Sequence, residues 1–167
     1  YFDDYHQFQK PVIQDEFGGI YLDGNGDVGG YPLLPGAMLR WQGYNHTKEM
    51  RFEQQSLSYG KVGEYWRRLG ISGIGAFPIL CSWDDGNHWF LGDVADGKKK
   101  ALWNDMTVVW AEKTVSMDIW DRDFVPSEKV IVPIHCINDG QDSTIIQYRI
   151  QVRDMAGNAL FSKDGAT

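Results

Sequence analysis

The sequence predicts an α/β unit followed by an all-β unit. Fifteen of the 19 glycines and 17 of the 23 aromatic residues fall within residues 1–95, where the apolar segments follow the order strand, helix, strand. The later part of the chain alternates apolar and polar residues with the period of a β-strand. We therefore place an α/β unit at residues 1–95, a polar linker at residues 96–105 and an all-β unit at residues 106–167.

The first unit begins with a short apolar run, residues 11–16, which ends at a Gly-Gly pair and is typical of a buried strand. Residues 20–45 are rich in glycine and proline and predict a long loop. Helical spacing follows Thr47, a candidate N-cap, and residues 71–80 then form a second strand. This order predicts a parallel pair with a crossover helix. Because parallel sheets are covered on both faces, we expect the unit to be a slice of a larger α/β domain.

The second unit contains short segments with strand-like alternation. They are residues 107–110, 113–120, 130–137, 146–153 and 158–161. Turns rich in Asn, Asp, Gly and Pro lie between them. Such spacing is typical of an immunoglobulin-type antiparallel sandwich, which has about seven strands. We therefore expect an incomplete immunoglobulin-like β-sandwich.

Charge and hydropathy exclude two classes of partner. The chain has 16 basic and 23 acidic residues, a net charge of −7, and this opposes nucleic-acid binding, which depends on phosphate neutralisation. No apolar run approaches the roughly 20 residues that cross a bilayer, so we expect no membrane partner. Cys81 and Cys136 lack metal-ligand spacing and are expected to be free thiols. The compartment stays open, with a periplasmic or extracellular location somewhat favoured over the cytoplasm.

Glu16 is the sharpest candidate for chemistry. It ends the first predicted strand and precedes Phe17-Gly18-Gly19, where the backbone turns without a side chain that blocks access. Ligands of parallel α/β sheets and barrels bind at the carboxyl ends of the strands, so a carboxylate here is placed to attack or to titrate. The alternative is a glutamate that only hydrogen-bonds a loop, and its position favours neither.

Aromatic and polar residues surround the same predicted rim. Trp83 follows the second strand, and a flat ring beside a carboxylate suits the C–H faces of a sugar. The other candidates for contact with sugar rings or hydroxyls are Asp84, Asn87 and Trp89 in the next loop, and Tyr21 and Trp41 in the long loop. A core tryptophan at position 83 and solvated loop residues elsewhere are the alternatives.

Metal and modification motifs are weak. The run Asp23-Gly24-Asn25-Gly26-Asp27 imitates the start of a calcium loop, but Val28 stands where that motif needs glycine and Leu34 where it needs glutamate. We therefore expect no metal site, and no cofactor motif is found. Asn45-His46-Thr47 is a glycosylation sequon, which is meaningful only in a secreted eukaryotic chain.

Residues 10–19, KPVIQDEFGG, resemble the segment around the nucleophile of retaining glycosidases of glycoside hydrolase family two, the β-galactosidase and β-mannosidase group. The resemblance continues in order along the chain. Residues 64–68 are similar to the family's seventh barrel helix, and residues 71–83 to its last barrel strand, which ends in an active-site tryptophan. Residues 101–103 and 115–117 resemble the passage into the β-sandwich domain behind the barrel.

The resemblance implies that residues 1–95 are the C-terminal part of a (β/α)8 TIM barrel and that an immunoglobulin-like domain starts behind it. Glu16 would be the nucleophile, forming a covalent glycosyl–enzyme intermediate with an oligosaccharide or glycoside substrate, and Trp83 a wall of the sugar pocket. The family's acid/base carboxylate lies on the fourth barrel strand, which has no counterpart here. We therefore expect the chain to be inactive alone and to need the remainder of its parent chain or a partner chain.

Two interpretations from other classes stay open. The first is a non-catalytic carbohydrate-binding or cell-surface β-sandwich module whose aromatic residues stack on glycan. It requires residues 11–16 to form an antiparallel strand in an all-β fold, and Glu16 to be replaceable without loss of binding. The second is a structural fragment that folds only against a partner chain. The long segment at residues 20–45 departs from the glycosidase pattern, so the identity of the sugar is not predicted.

Overall fold

A computed structural model describes residues 10–28, 34–77, 79–80, 89–120 and 123–167. Backbone contacts divide the chain into two units, Tyr1–Trp110 and Ala111–Thr167. The division falls after the linker that the sequence suggests at residues 96–105, because a helix that begins within that range, at Leu102, packs within the first unit. In the described part, no helix is both long enough and apolar enough to span a bilayer.

The described part of the first unit contains two strands and three helices. In chain order they are β1 (Ile13–Gly18), α1 (Leu34–Gln42), α2 (Lys48–Arg68), β2 (Gly73–Phe77) and α3 (Leu102–Val109), with a 3-10 turn at Val94–Asp96 before α3. β1 pairs with β2 in parallel, which confirms the strand–helix–strand prediction. No closed barrel is formed by the described residues, and the barrel fragment stays a prediction.

Helix α2 has the boundaries that its sequence predicts. The Thr47 side chain caps it by accepting a hydrogen bond of 3.3 Å from the Met50 backbone N–H. Glu49 lies in the first turn and Arg67 and Arg68 in the last, where their charges complement the helix dipole. Gly70 follows the helix with a φ of +69°, a left-handed conformation that glycine adopts without strain.

Two glycines allow α2 and α3 to approach closely. A Cβ atom at Gly63 would lie 2.7 Å from Cγ1 of Val109, and one at Gly60 would lie 3.2 Å from Cβ of Asp105. The Ser56 hydroxyl donates a 2.7 Å hydrogen bond to Oδ2 of Asp105 and so links the same two helices. The small residues therefore set the separation of α2 and α3.

Two sequence predictions in the first unit are wrong. Residues 107–110 belong to helix α3 and its C-cap rather than to a strand. Their β-branched residues favour a strand locally, but Leu102, Met106 and Val109 recur with helical spacing and are buried. The predicted loop at residues 20–45 contains α1, whose Met38 is fully buried. Burial of these apolar residues outweighs the local preferences.

Aromatic rings form much of the buried core of the first unit. Among the described residues, Trp89 and Tyr59 are the largest of the fully buried side chains, each 1% exposed. The Trp89 ring stacks on Trp110 and meets Tyr59 and Trp103 edge to face, with centroid distances of 5.5 to 5.7 Å. The core therefore accounts for part of the high aromatic content of the sequence.

The described part of the second unit forms two antiparallel strand pairs. β3 (Lys113–Met117) pairs with β4 (Ile134–Asn138), and β5 (Gln147–Arg153) pairs with β6 (Ala159–Ala166). β4 begins later than the predicted residues 130–137, since Pro133 has no N–H to donate to a ladder. Cys136 on β4 is a half-buried free thiol, and Cys81 lies outside the described residues. The immunoglobulin-like sandwich stays a prediction.

Gly63→Ala is expected to lower the free energy of unfolding of the first unit by about 1–3 kcal/mol, because the added methyl overpacks the contact between α2 and α3. Gly36→Ala in α1 is the control, since no described atom lies within 4 Å of its Cβ position. There the change is expected to be neutral or stabilising by up to about 1 kcal/mol. Urea denaturation measures both, and equal stability of the two variants would contradict the close helix packing.

Candidate functional site

Strand β1 carries an extra residue beside the candidate nucleophile. The register pairs Gln14 with Ile74 and Phe17 with Ala76, so three steps along β1 oppose two along β2. A bulge of this kind bends a strand, re-aims its side chains and is common next to active sites. Glu16 lies inside the bulge and is exposed, whereas Phe17 is 7% exposed.

Gly75 of β2 makes room for this bulge. A Cβ atom at Gly75 would lie 2.7 Å from the backbone carbonyl oxygen of Asp15. A side chain here would push the Asp15 peptide away and disturb the backbone that carries Glu16. The glycine on β2 is therefore part of what shapes the site on β1.

Tyr59 of α2 connects the carboxyl ends of the two strands. Its hydroxyl donates a 2.5 Å hydrogen bond to the backbone carbonyl of Phe77, the last residue of β2. The Tyr59 ring also lies against Gly18, the last residue of β1, where an added Cβ atom would overlap it. Burial raises the pKa of the Tyr59 hydroxyl well above its ordinary value of 10.0, and the nearby Tyr21 and Glu16 raise it further. The hydroxyl therefore keeps its proton at neutral pH.

The structure brings Glu16 and Tyr21 to the same edge. The Tyr21 ring meets the ring of Phe77, the last residue of β2, edge to face, with centroids 6.1 Å apart. Phe77 pairs with Gly18 of β1, two residues after Glu16. The arrangement combines an exposed carboxylate, a protonated phenol and two aromatic rings, which suits a neutral polar ligand with apolar faces.

The other predicted site residues have different outcomes. Trp89 is 1% exposed and packed among aromatic rings, so the expectation that it contacts a ligand is corrected: its faces are covered by the core. Trp41 lies in α1 and is 48% exposed. Trp83, Asp84 and Asn87 lie outside the described residues.

The calcium-like turn is held by cations of the protein. The Asp23 carboxylate accepts hydrogen bonds from its own turn, from the backbone N–H groups of Asn25 at 2.7 Å and Asp27 at 2.8 Å. Lys48 Nζ donates to the Gly24 carbonyl at 3.0 Å, and the Arg51 guanidinium donates to the carbonyl of Gly26. Among the described residues, no group of three or more His, Cys, Asp or Glu side chains is arranged to hold a metal ion.

Lys100 fastens the start of the same turn from inside the core. It is 2% exposed, and its Nζ donates to the carbonyl of Leu22 and lies 5.9 Å from the centroid of the Phe52 ring. Burial lowers the pKa of Lys100 to about 8, although the nearby Asp23 carboxylate opposes this shift. The segment after Glu16 is thus anchored by a buried ammonium group.

Sequence reasoning missed Tyr59, the residue that connects the strand ends. A signal was present, since Gln55 and Tyr59 are polar residues four positions apart on the buried face of α2. A buried polar side chain requires a hydrogen-bond partner, and both find theirs near the strand ends: the Gln55 amide donates to the Ile20 carbonyl at 2.7 Å. The position of those carbonyls is not visible in the sequence.

Comparison of the chain with family models, curated proteins and solved structures finds no match.

The turn after Glu16 should not tolerate side chains. Gly18 has a φ of +126° and a Cβ there would overlap the Tyr59 ring, whereas Gly19 has a φ of +98° with no described atom within 4 Å. We expect Gly19→Ala to cost about 1–2 kcal/mol of stability through backbone strain. Gly18→Ala should cost at least about 1 kcal/mol more, because overpacking is added. Thermal denaturation compares the two, and equal loss would contradict the packing of Tyr59 on Gly18.

The buried ammonium of Lys100 makes stability depend on pH. Its pKa is about 8 in the folded chain against an ordinary 10.5, so the unfolded chain holds this proton more tightly. The loss of folding stability caused by the buried charge of Lys100 is therefore complete below pH 8 and disappears as the pH rises to 10.5. Relative to Lys100→Met, the wild type should gain on the order of 3 kcal/mol between pH 7 and pH 10.5. Urea denaturation at both pH values tests this, and a difference that does not change with pH would contradict it.

Proposed function

We propose that this chain is part of the catalytic domain of a retaining β-glycosidase, with Glu16 as the nucleophile. The observation that carries the proposal is the placement of Glu16: an exposed carboxylate in a bulge near the carboxyl end of a parallel strand, followed by a Gly-Gly turn. Ligands of parallel α/β folds bind at this end of the strands. The open turn leaves one side of the carboxylate accessible.

The chemistry requires two carboxyl groups. A Glu16 oxygen would attack the anomeric carbon of the sugar, the bond to the leaving oxygen would break, and a second carboxyl group about 5–5.5 Å from the first would protonate that oxygen. Water then cleaves the glycosyl ester and restores Glu16. Asp15 is not the second carboxyl group in this proposal, because it adjoins Glu16 on the same strand and its backbone carbonyl is turned to Gly75. We assign the second group to the remainder of the domain.

The residues around Glu16 suit a sugar. The Tyr21 and Phe77 rings offer apolar faces to C–H groups, and Tyr59 stays neutral beside the carboxylate. An ammonium or guanidinium in contact with Glu16 would bind its carboxylate and weaken it as a nucleophile. The cations that hold the following turn, Lys48 and Arg51, are instead engaged with backbone carbonyls.

The alternative of an all-β binding module fits less well. It requires the strand that carries Glu16 to be antiparallel, and β1 instead pairs in parallel with β2, with α2 between them in the chain. We therefore retain the hydrolase as the proposal.

Covalent trapping tests the role of Glu16. The reagents are dinitrophenyl glycosides of gluco, galacto and manno configuration in which fluorine replaces the hydroxyl at C2. Dinitrophenolate leaves without a proton, so the trapping step does not need the second carboxyl group. We expect one reagent to add one fluorosugar to the protein, and mass spectrometry of peptides to place it on Glu16.

Two variants make this test specific. Glu16→Gln should abolish labelling, because an amide oxygen is a poor nucleophile, whereas Asp15→Asn on the adjoining position should be labelled as the wild type is. An adduct on another residue, or no adduct from any of the three sugars, would show that Glu16 is not a glycosidase nucleophile.

A further inference from the structure

One phenolic side chain contacts both strand ends of the candidate site. Tyr59 Oη donates to the carbonyl of Phe77 at the end of β2, and the Tyr59 ring lies against Gly18 at the end of β1. The hydroxyl has one proton to donate, and its bond to Phe77 holds the ring that packs on Gly18. We propose that Tyr59 is a positioning residue, which holds the Gly18–Gly19 turn against β2 and thereby orients Glu16; this rests on the function proposed above for Glu16.

The turn needs such a tether because it is made of glycine. Gly18 and Gly19 have φ angles of +126° and +98°, and glycine populates positive and negative φ about equally. The two residues alone therefore hold no single conformation. Only Phe17 separates Glu16 from these two glycines, so the position of the Glu16 carboxylate depends on how firmly the turn is held.

The Tyr59 ring is itself held by packing. It is 1% exposed, lies against the backbone of Gly18, and meets the rings of Phe17 at 6.1 Å and Trp89 at 5.7 Å between centroids. Its hydroxyl therefore has a fixed position before any ligand binds. A tether on a rigid ring therefore fixes the position of the reacting group. Such precision matters for catalysis, because a displacement of about 1 Å can lower the rate about a hundredfold.

The tether is also independent of pH in the neutral range. Burial, with added repulsion from the anionic forms of Tyr21 and Glu16, raises the pKa of the hydroxyl. Tyr59 therefore remains able to donate to the Phe77 carbonyl throughout the neutral range. It acts through the turn and does not need to touch the substrate.

Tyr59→Phe tests this role, since it keeps the ring and removes only the hydroxyl. We expect the limiting rate of fluorosugar labelling at saturating reagent to fall about tenfold or more, with the half-saturating concentration unchanged within about twofold. Hydrogen exchange of the Gly19 amide, followed by NMR, should become about tenfold faster, because the turn is no longer held against β2. Neither change is expected if the hydroxyl only contributes to overall stability.

Ser56→Ala is the matched control. Ser56 lies one turn before Tyr59 on the same buried face of α2, and its loss removes the 2.7 Å hydrogen bond to Asp105, away from the strand ends. The control should lose stability without changing the labelling rate or the exchange of Gly19. Equal effects of Tyr59→Phe and Ser56→Ala on either measurement would overturn the positioning role.

The glycosidase proposal and the positioning role of Tyr59 can be refuted independently of each other. If wild-type protein forms no adduct on Glu16, the glycosidase proposal fails, and Gly19 exchange alone decides whether Tyr59 tethers the turn. If Glu16 is labelled and Tyr59→Phe changes neither the labelling rate nor the exchange of Gly19, the glycosidase proposal stands and the positioning role is wrong.

Discussion

The parallel pairing of β1 with β2 is the constraint on which the described first unit depends. Two parallel strands cannot be joined by a tight turn, so the chain must cross from the end of one to the start of the other. Here α2 makes that crossing and packs on the pair. Its buried face therefore has to meet the apolar ring of Phe17 and also the polar backbone where the strands end.

Helix α2 meets both requirements with residues spaced along one face. Gly60 and Gly63, in the C-terminal half, admit α3. The Gln55 amide and the Tyr59 hydroxyl, on either side of the helix midpoint, bond the backbone around the strand ends. Lys48 then holds the following turn. One helix thus supports both the core and the candidate site.

Local patterns predicted the elements whose determinants lie close together in the chain. The cap at Thr47, the helix behind it and the two strands around it were found where sequence placed them. Predictions failed where distant contacts outweighed local preference. The β-branched end of α3 is helical because Met106 and Val109 are buried, and the glycine-rich segment contains α1, whose Met38 is buried.

For the candidate site, the sequence by itself determined that a glutamate lies near the end of a strand, that a Gly-Gly pair follows after one residue, and that the strand is paired in parallel across a helix. Each of these follows from residue order and periodicity over a few positions. Only the tertiary structure decided that β1 continues past Glu16 to Gly18, that Trp89 is buried, that Tyr21 comes to the same edge, and that Tyr59 contacts both strand ends. These contacts join residues far apart in the chain, and ring burial depends on which distant side chains close around it.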